Sequence, residues 1–267
     1  MKKKICVISG SRAEYGLLRN LLKKITEEKK FDLRLIVTGT HLQQKFGNTV
    51  NEIKSDGLFI FKKVKILNSR DGAIDISDYF SNGVKKFSRI LNKLNPEALL
   101  ILGDRYEIFS AAIAALFNRI PIIHLHGGEL TEGSQDDAIR HAITKMSHIH
   151  FVSTKKYRKR VIQLGEDPSK VHVVGAYGVE AIKKTKLFSK KELQKKLEIK
   201  FSKKNLLINF HPATLSSSEA KNQISVLLSA LRKFYDARLI FTYPNADQEN
   251  NVIIKMIKLF VKKNKNS

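Results

Sequence analysis

Short runs of consecutive apolar residues alternate along the chain with stretches whose apolar positions recur every three or four residues. The first pattern is that of a strand buried on both faces, the second that of a helix with one buried stripe. The spacing predicts strands over Lys4–Ser9, Asp32–Thr38, Phe59–Ile66, Ala98–Leu102, Pro121–Leu125, His150–Ser153 and Val171–Val174. Between them it predicts helices over Ala13–Glu28, Ile76–Leu94, Glu107–Asn118, Gln135–Met146 and Thr154–Leu164. This rhythm argues for a doubly wound parallel sheet. Around Gly175 the pattern resets, and a lysine-rich stretch follows from Lys183 to Lys204. Strands at Leu206–Phe210 and Leu239–Tyr243, with helices near Glu219–Phe234 and Glu249–Lys262, begin a second α/β unit. The expected domains are 1–175 and 176–267. Two strands and their helices make a poor independent core, so the second domain is expected to be incomplete.

At 267 residues the chain is long enough to bury a sizeable core. One cysteine, Cys6, excludes an internal disulfide and a cysteine zinc site. The apolar run after the basic start is too short for a signal-peptide core, and no segment reaches 18 uninterrupted apolar residues, so the expectation is a cytoplasmic protein without membrane contact. The net charge of +24 raises nucleic acid or an anionic membrane as partner. Its 37 lysines and 12 arginines, however, lie in short clusters along the whole chain, with no tryptophan and no nucleic-acid motif. A lysine-rich surface that steers anionic substrates is the preferred reading.

In an open parallel sheet ligands meet the carboxyl ends of the strands. Polar groups collect after six of the predicted strands: Gly10, Ser11, Arg12 and Glu14; Gly39, Thr40 and His41; Gly103, Asp104, Arg105 and Glu107; His126, Gly127, Gly128 and Glu129; His211 and Pro212; Pro244, Asn245 and Asp247. The first loop lacks both the G-x-G-x-x-G and the Walker spacing, which disfavours nicotinamide and Walker-type nucleotide binding. Asp104 ends an apolar strand just before a helix, so it is either a helix N-cap or a catalytic carboxylate. His124 and His126 face the same way on a strand; a core histidine and a mouth histidine are preferred to a metal pair. Asp136 and Arg140 share a helix face, either as a surface ion pair or, beside Asp104 and Glu129, as part of a carboxylate cluster.

The runs SGSRAEYG, TGTHL, LGDRYE, HLHGGELTEG, DDAIRHAITKMSHIHFVST, VVGAYG, NFHPAT and TYPNAD, in this order, resemble the hydrolysing UDP-N-acetylglucosamine 2-epimerases of sialic acid biosynthesis. The resemblance covers nearly the whole chain. It implies two Rossmann-like domains of the glycosyltransferase-B type, the second incomplete here, and release of N-acetylmannosamine and UDP from UDP-N-acetylglucosamine. By the same resemblance Asp104, Glu129 and Asp136 or Asp137 are catalytic carboxylates, Arg140 is their arginine partner and His211 a catalytic-site histidine near the diphosphate. Arg12, His41, Arg105, Asn245 and Asp247 are expected to bind substrate. The route requires no cofactor and no metal, and the full-length form is expected to be a homo-oligomer. Such enzymes run on for about a hundred residues past the equivalent of Ser267, the size that completes a second domain. A GNSSSG-type phosphate turn belongs to that part, so the expectation is a truncated member that grips UDP weakly. The alternatives are an inactive fragment or nucleotide-sugar-binding module, or a related epimerase acting on a bacillosamine-type or GDP-linked sugar.

Overall fold

Alternating side chains on the first apolar run face opposite layers: Cys6 and Ile8 enter one core, Val7 the other. That double burial places the strand, β1 (Lys3–Ser9), in the middle of a parallel sheet. The computed structural model describes residues 1–67, 72–213, 215, 219–244 and 249–267. The other strands of this sheet are β2 (Phe31–Thr38), β3 (Ile60–Val64), β4 (Ala98–Leu102), β5 (Ile122–Leu125), β6 (Ile149–Val152) and β7 (Val171–Val173). They lie in the order β3-β2-β1-β4-β5-β6-β7 and every pairing is parallel. The order reverses between β1 and β4, which opens a crevice at their carboxyl ends.

Seven helices complete this unit: α1 (Arg12–Glu27), α2 (Val50–Ser55), α3 (Ala73–Leu94), α4 (Tyr106–Phe117), α5 (Asp136–Met146), α6 (Lys155–Gln163) and α7 (Tyr177–Lys184). Phe87 and Leu91 of α3, Ile108 and Ala111 of α4 and Ile143 of α5 cover one face of the sheet. Tyr15, Leu18 and Leu22 of α1, with Val50 and Ile53 of α2, cover the other. Val161 of α6 packs on Val152 and Val171 at the β6–β7 end. Short α2 escapes a periodicity search because six residues carry less than two turns of pattern.

The first compact unit extends to Lys184, past the reset in the hydrophobic pattern around Gly175. The physical reason is α7, whose residues pack on α1; Gly178 lies close to Leu17. The second unit holds α8 (Lys190–Leu197), β8 (Lys204–Ile208), α9 (Ala220–Leu231), β9 (Ala237–Phe241) and α10 (Asn250–Lys263). Strands β8 and β9 pair in parallel. Ile208, Ile224, Leu228, Leu239, Ile253 and Phe260 form its core. Helix α8 buries no residue and is held by a capping box between Ser189 and Glu192. Among the described residues no helix is long and apolar enough to cross a membrane.

Candidate active site

The end of β4 sets aside the N-cap reading of Asp104. Helix α4 has Arg105 at its N-cap position and no side-chain cap there. Asp104 instead receives the guanidinium of Arg140, 36 positions later: Arg140 Nε donates to Asp104 Oδ2 at 2.7 Å, and Nη2 donates to the same oxygen. Arg140 is 5% exposed. Its remaining donors are used as well: Nη1 reaches the Glu129 carbonyl at 2.8 Å and Nη2 the Thr131 hydroxyl at 2.8 Å. A buried guanidinium is tolerated because each donor meets an acceptor. One side chain of α5 thereby ties the loops that follow β4 and β5.

Asp136 is the first residue of α5, its N–H donating to Ser134 Oγ at 3.2 Å. Asp137 lies 3.5 Å from Arg140 Nη1, and it also takes the Thr131 N–H at 3.0 Å. His141 Nε2 lies 3.7 Å from Asp137.

After β5 the chain turns through His126 at φ +65°, a left-handed conformation uncommon outside glycine and often found at functional sites. His126 Nδ1 donates to Glu129 Oε1 at 2.8 Å, and the Ser153 hydroxyl donates to the same oxygen at 3.0 Å. Partial burial of Glu129 works against ionisation. The hydrogen bond and charge of His126, the Ser153 hydroxyl and the charge of Arg140 outweigh it and hold the carboxyl below the usual range. Gly128 has φ +78°, and a Cβ there would lie 2.6 Å from the Tyr157 carbonyl, so the turn that presents Glu129 needs glycine. His124 is a core residue. Its Nε2 donates to the Gly103 carbonyl at 2.8 Å, and burial pushes its pKa down to about 3. Among the described residues no group of three or more His, Cys, Asp or Glu is arranged to hold a metal ion.

The ends of β1, β2 and β4 bring together a pair of acids that the sequence reading listed as strand-end residues and did not select. Glu14 is 5% exposed and Glu107 is completely buried. Ser11 caps α1, and the Gly10 N–H donates to Glu14 Oε2 at 2.7 Å. Burial first, and then the charge of Glu107, push the Glu14 carboxyl up to about 8. Arg105 Nε donates to Glu107 Oε2 at 3.2 Å. The signal was present, since a glutamate at the third helical position after a Ser N-cap marks a helix start. Its burial against a second acid depends on which strands are neighbours.

His41 is completely buried, 3.0 Å from Ser9 Oγ through Nε2 and 2.7 Å from Thr49 Oγ1 through Nδ1. Both ring nitrogens are engaged, and burial pushes its pKa down to about 4, so it braces β1 against the loop after β2. Arg12 stands at the sheet edge with its side chain 72% exposed, Nε donating to Glu52 at 3.0 Å. His211 lies exposed beyond β8 in the second unit. Asn245 and Asp247 lie outside the described residues.

The family model described as UDP-N-acetylglucosamine 2-epimerase matches residues 23–265. The chain belongs to the UDP-N-acetylglucosamine 2-epimerase family. It is 43% identical to a Campylobacter jejuni GDP/UDP-N,N'-diacetylbacillosamine 2-epimerase (hydrolyzing), over 98% of this chain and 68% of that one. It is 42% identical to the Escherichia coli polysialic acid biosynthesis protein P7, over 98% and 67%. The chain therefore spans about two thirds of the length of these relatives. A Methanocaldococcus jannaschii UDP-GlcNAc 2-epimerase, solved with UDP-GlcNAc and UDP, has the same fold with a TM-score of 0.79 at 18% identity, covering 98% of this chain and 72% of that one. The glycosyltransferase-B-like architecture of the epimerase family is thus shared, and the Asp104–Arg140 and His126–Glu129 pairs sit in its first Rossmann-like unit.

Proposed function

We propose that the protein carrying this chain is a hydrolysing nucleotide-sugar 2-epimerase of the cytoplasm, releasing N-acetylmannosamine and UDP from UDP-N-acetylglucosamine. The observation that carries this reading is the pair of differently held carboxylates, Asp104 on Arg140 and Glu129 on His126 and Ser153, at the ends of neighbouring strands. The proton on carbon 2 of such a sugar is weakly acidic, so an oriented carboxylate must accept it as the bond from carbon 1 to the diphosphate oxygen breaks. The electron pair of the departing bond leaves with UDP, and a double bond forms between carbons 1 and 2. Cationic groups favour the departing diphosphate. Arg12 and Arg105 in the first unit and His211 in the second are assigned to the nucleotide side, Asn245 and Asp247 with them. Water then adds at carbon 1 and a proton returns to carbon 2 from the opposite face. Two faces call for two acid/base groups, which is why more than one of Asp104, Glu129, Asp136 and Asp137 is assigned to the reaction.

Turnover of UDP-N-acetylglucosamine in deuterated water tests this. The product is expected to carry deuterium at carbon 2, and product without it overturns the proton-abstraction route. The similarity to the Campylobacter jejuni relative favours a second reading, in which the sugar is N,N'-diacetylbacillosamine linked to UDP or GDP. Competition between the two nucleotide sugars, read as kcat/KM, separates them.

A further inference from the structure

The epimerase reading asks for carboxylates, but the structure treats Glu129 and Asp104 differently. Asp104 is held at Oδ2 by two donors of one buried guanidinium, so a proton on Asp104 would neutralise half of a buried ion pair. Glu129 is anchored by Oε1 alone, through His126 Nδ1 and Ser153 Oγ, and its side chain stays 30% exposed. The anchors come from the ends of two adjacent strands, β5 and β6. The His126 ring is backed by Tyr177 of α7, with ring centroids 5.4 Å apart. Its Nε2 is buried and has no hydrogen-bond partner among the described residues, so the contact with Glu129 is the ring's one side-chain hydrogen bond there and calls for a proton on Nδ1.

We propose that His126 is the positioning residue for proton transfer by Glu129, and that the two act with Ser153 as one hydrogen-bonded unit while Asp104 serves as the anchor of Arg140. This rests on the epimerase reading of the same site. A base held in place by a third group is a recurring catalytic arrangement, because fixing its direction removes the entropy of finding it. The groups that face this unit are Arg140 of α5, which bonds the Glu129 carbonyl, Arg160 of α6, which bonds the Gly128 carbonyl, and Tyr177 of α7. None of them offers Glu129 Oε1 a replacement donor in the described structure.

The test is steady-state kinetics, across pH, of the protein carrying this chain and four variants, with UDP-N-acetylglucosamine and the diacetylbacillosamine nucleotide as substrates. H126G removes the donor and suits the left-handed backbone; H126N keeps a donor near the Nδ1 position and also tolerates that backbone. H126G is expected to lower kcat about 10²-fold with KM changed little, and to move the acid limb of kcat/KM upward, because Glu129 loses the donor that favours its ionised form. H126N is expected to recover most of the rate. E129Q and the double variant H126G/E129Q are expected to be equally slow, as for residues that act as a unit. An unshifted acid limb in H126G, or losses that multiply in the double variant, overturns the proposal. If the parent turns over neither nucleotide sugar, the epimerase reading itself falls, a result distinct from a parent that is active and a H126G variant that matches it.

Discussion

Arg140 and Asp104 stand 36 positions apart in the chain, yet Arg140 Nε donates to Asp104 Oδ2 at 2.7 Å, and the same guanidinium holds the Glu129 carbonyl at 2.8 Å. A single α5 side chain therefore sets the spacing between the loops that carry both acids. Its planar fork is what allows several acceptors to be served at once, and a lysine in its place would serve them one at a time.

The Arg140→Lys variant is expected to lose stability, by up to the ~3–5 kcal/mol of breaking a buried charge pair, and to lose activity more than substrate affinity. Chemical denaturation read beside kcat and KM checks this. A variant as stable as the parent would show that the fork is dispensable.

In the proposed reaction Glu129→Gln and Asp104→Asn should each lower kcat by ~10²–10⁴-fold with modest change in KM, since each keeps shape and removes charge. Asp104→Asn should also lower the melting temperature, because Asp104 pairs with the 5% exposed Arg140. Glu129→Gln should not do so to the same degree, as Glu129 is half-buried and its carboxylate is held by a histidine and a serine hydroxyl, with no guanidinium bonded to it among the described residues. Equal melting temperatures in the two variants would contradict the division between anchor and proton carrier.

Glu14 and His41 predict opposite pH limits on stability. The Glu14 carboxyl is raised to about 8 in the fold, so its contribution is present at acid pH and is lost as pH rises from its ordinary range through about 8. The His41 imidazole is lowered to about 4, so its contribution is present above about 6.5 and is lost as pH falls through about 4. Glu14→Gln keeps an acceptor for the Gly10 N–H and removes the titration. It is expected to flatten the loss of stability between pH 5 and 8, by an amount on the order of a few kcal/mol. Unfolding of parent and variant at several pH values decides it; parallel curves would mean that Glu14 is ionised at neutral pH.

Gly39 sits at φ +60°, and a Cβ there would lie 2.4 Å from the Gly10 carbonyl oxygen and 2.9 Å from Glu107 Oε1. The Thr40 N–H donates to that same carbonyl at 2.8 Å, so the close approach of the two loops is itself hydrogen-bonded. Gly39→Ala is expected to cost about 3 kcal/mol or more, since both the backbone angle and the clash resist it. Thermal unfolding measures this. A cost under about 1 kcal/mol would require the two loops to separate easily.

Apolar runs and helical stripes were enough to place all seven strands of the first sheet and most of its helices, because a strand buried on both faces and a long amphipathic helix each leave an unmistakable local period. The ends of those strands were legible too. What lay beyond local pattern was partnership. Whether Asp104 capped α4 or paired with Arg140 depended on β4 and β5 being neighbours and on α5 crossing the end of β4. His41 is legible as a strand-end residue, but its burial between Tyr15 and Thr49 depends on the packing of α1 and the loop after β2. The Glu14–Glu107 pair and the His126–Glu129–Ser153 unit join residues from separate strand ends. Proton affinity and side-chain direction are set by such neighbours in space, and a sequence records neighbours along the chain; the residue types were therefore determined by the sequence alone, and their roles by the tertiary fold.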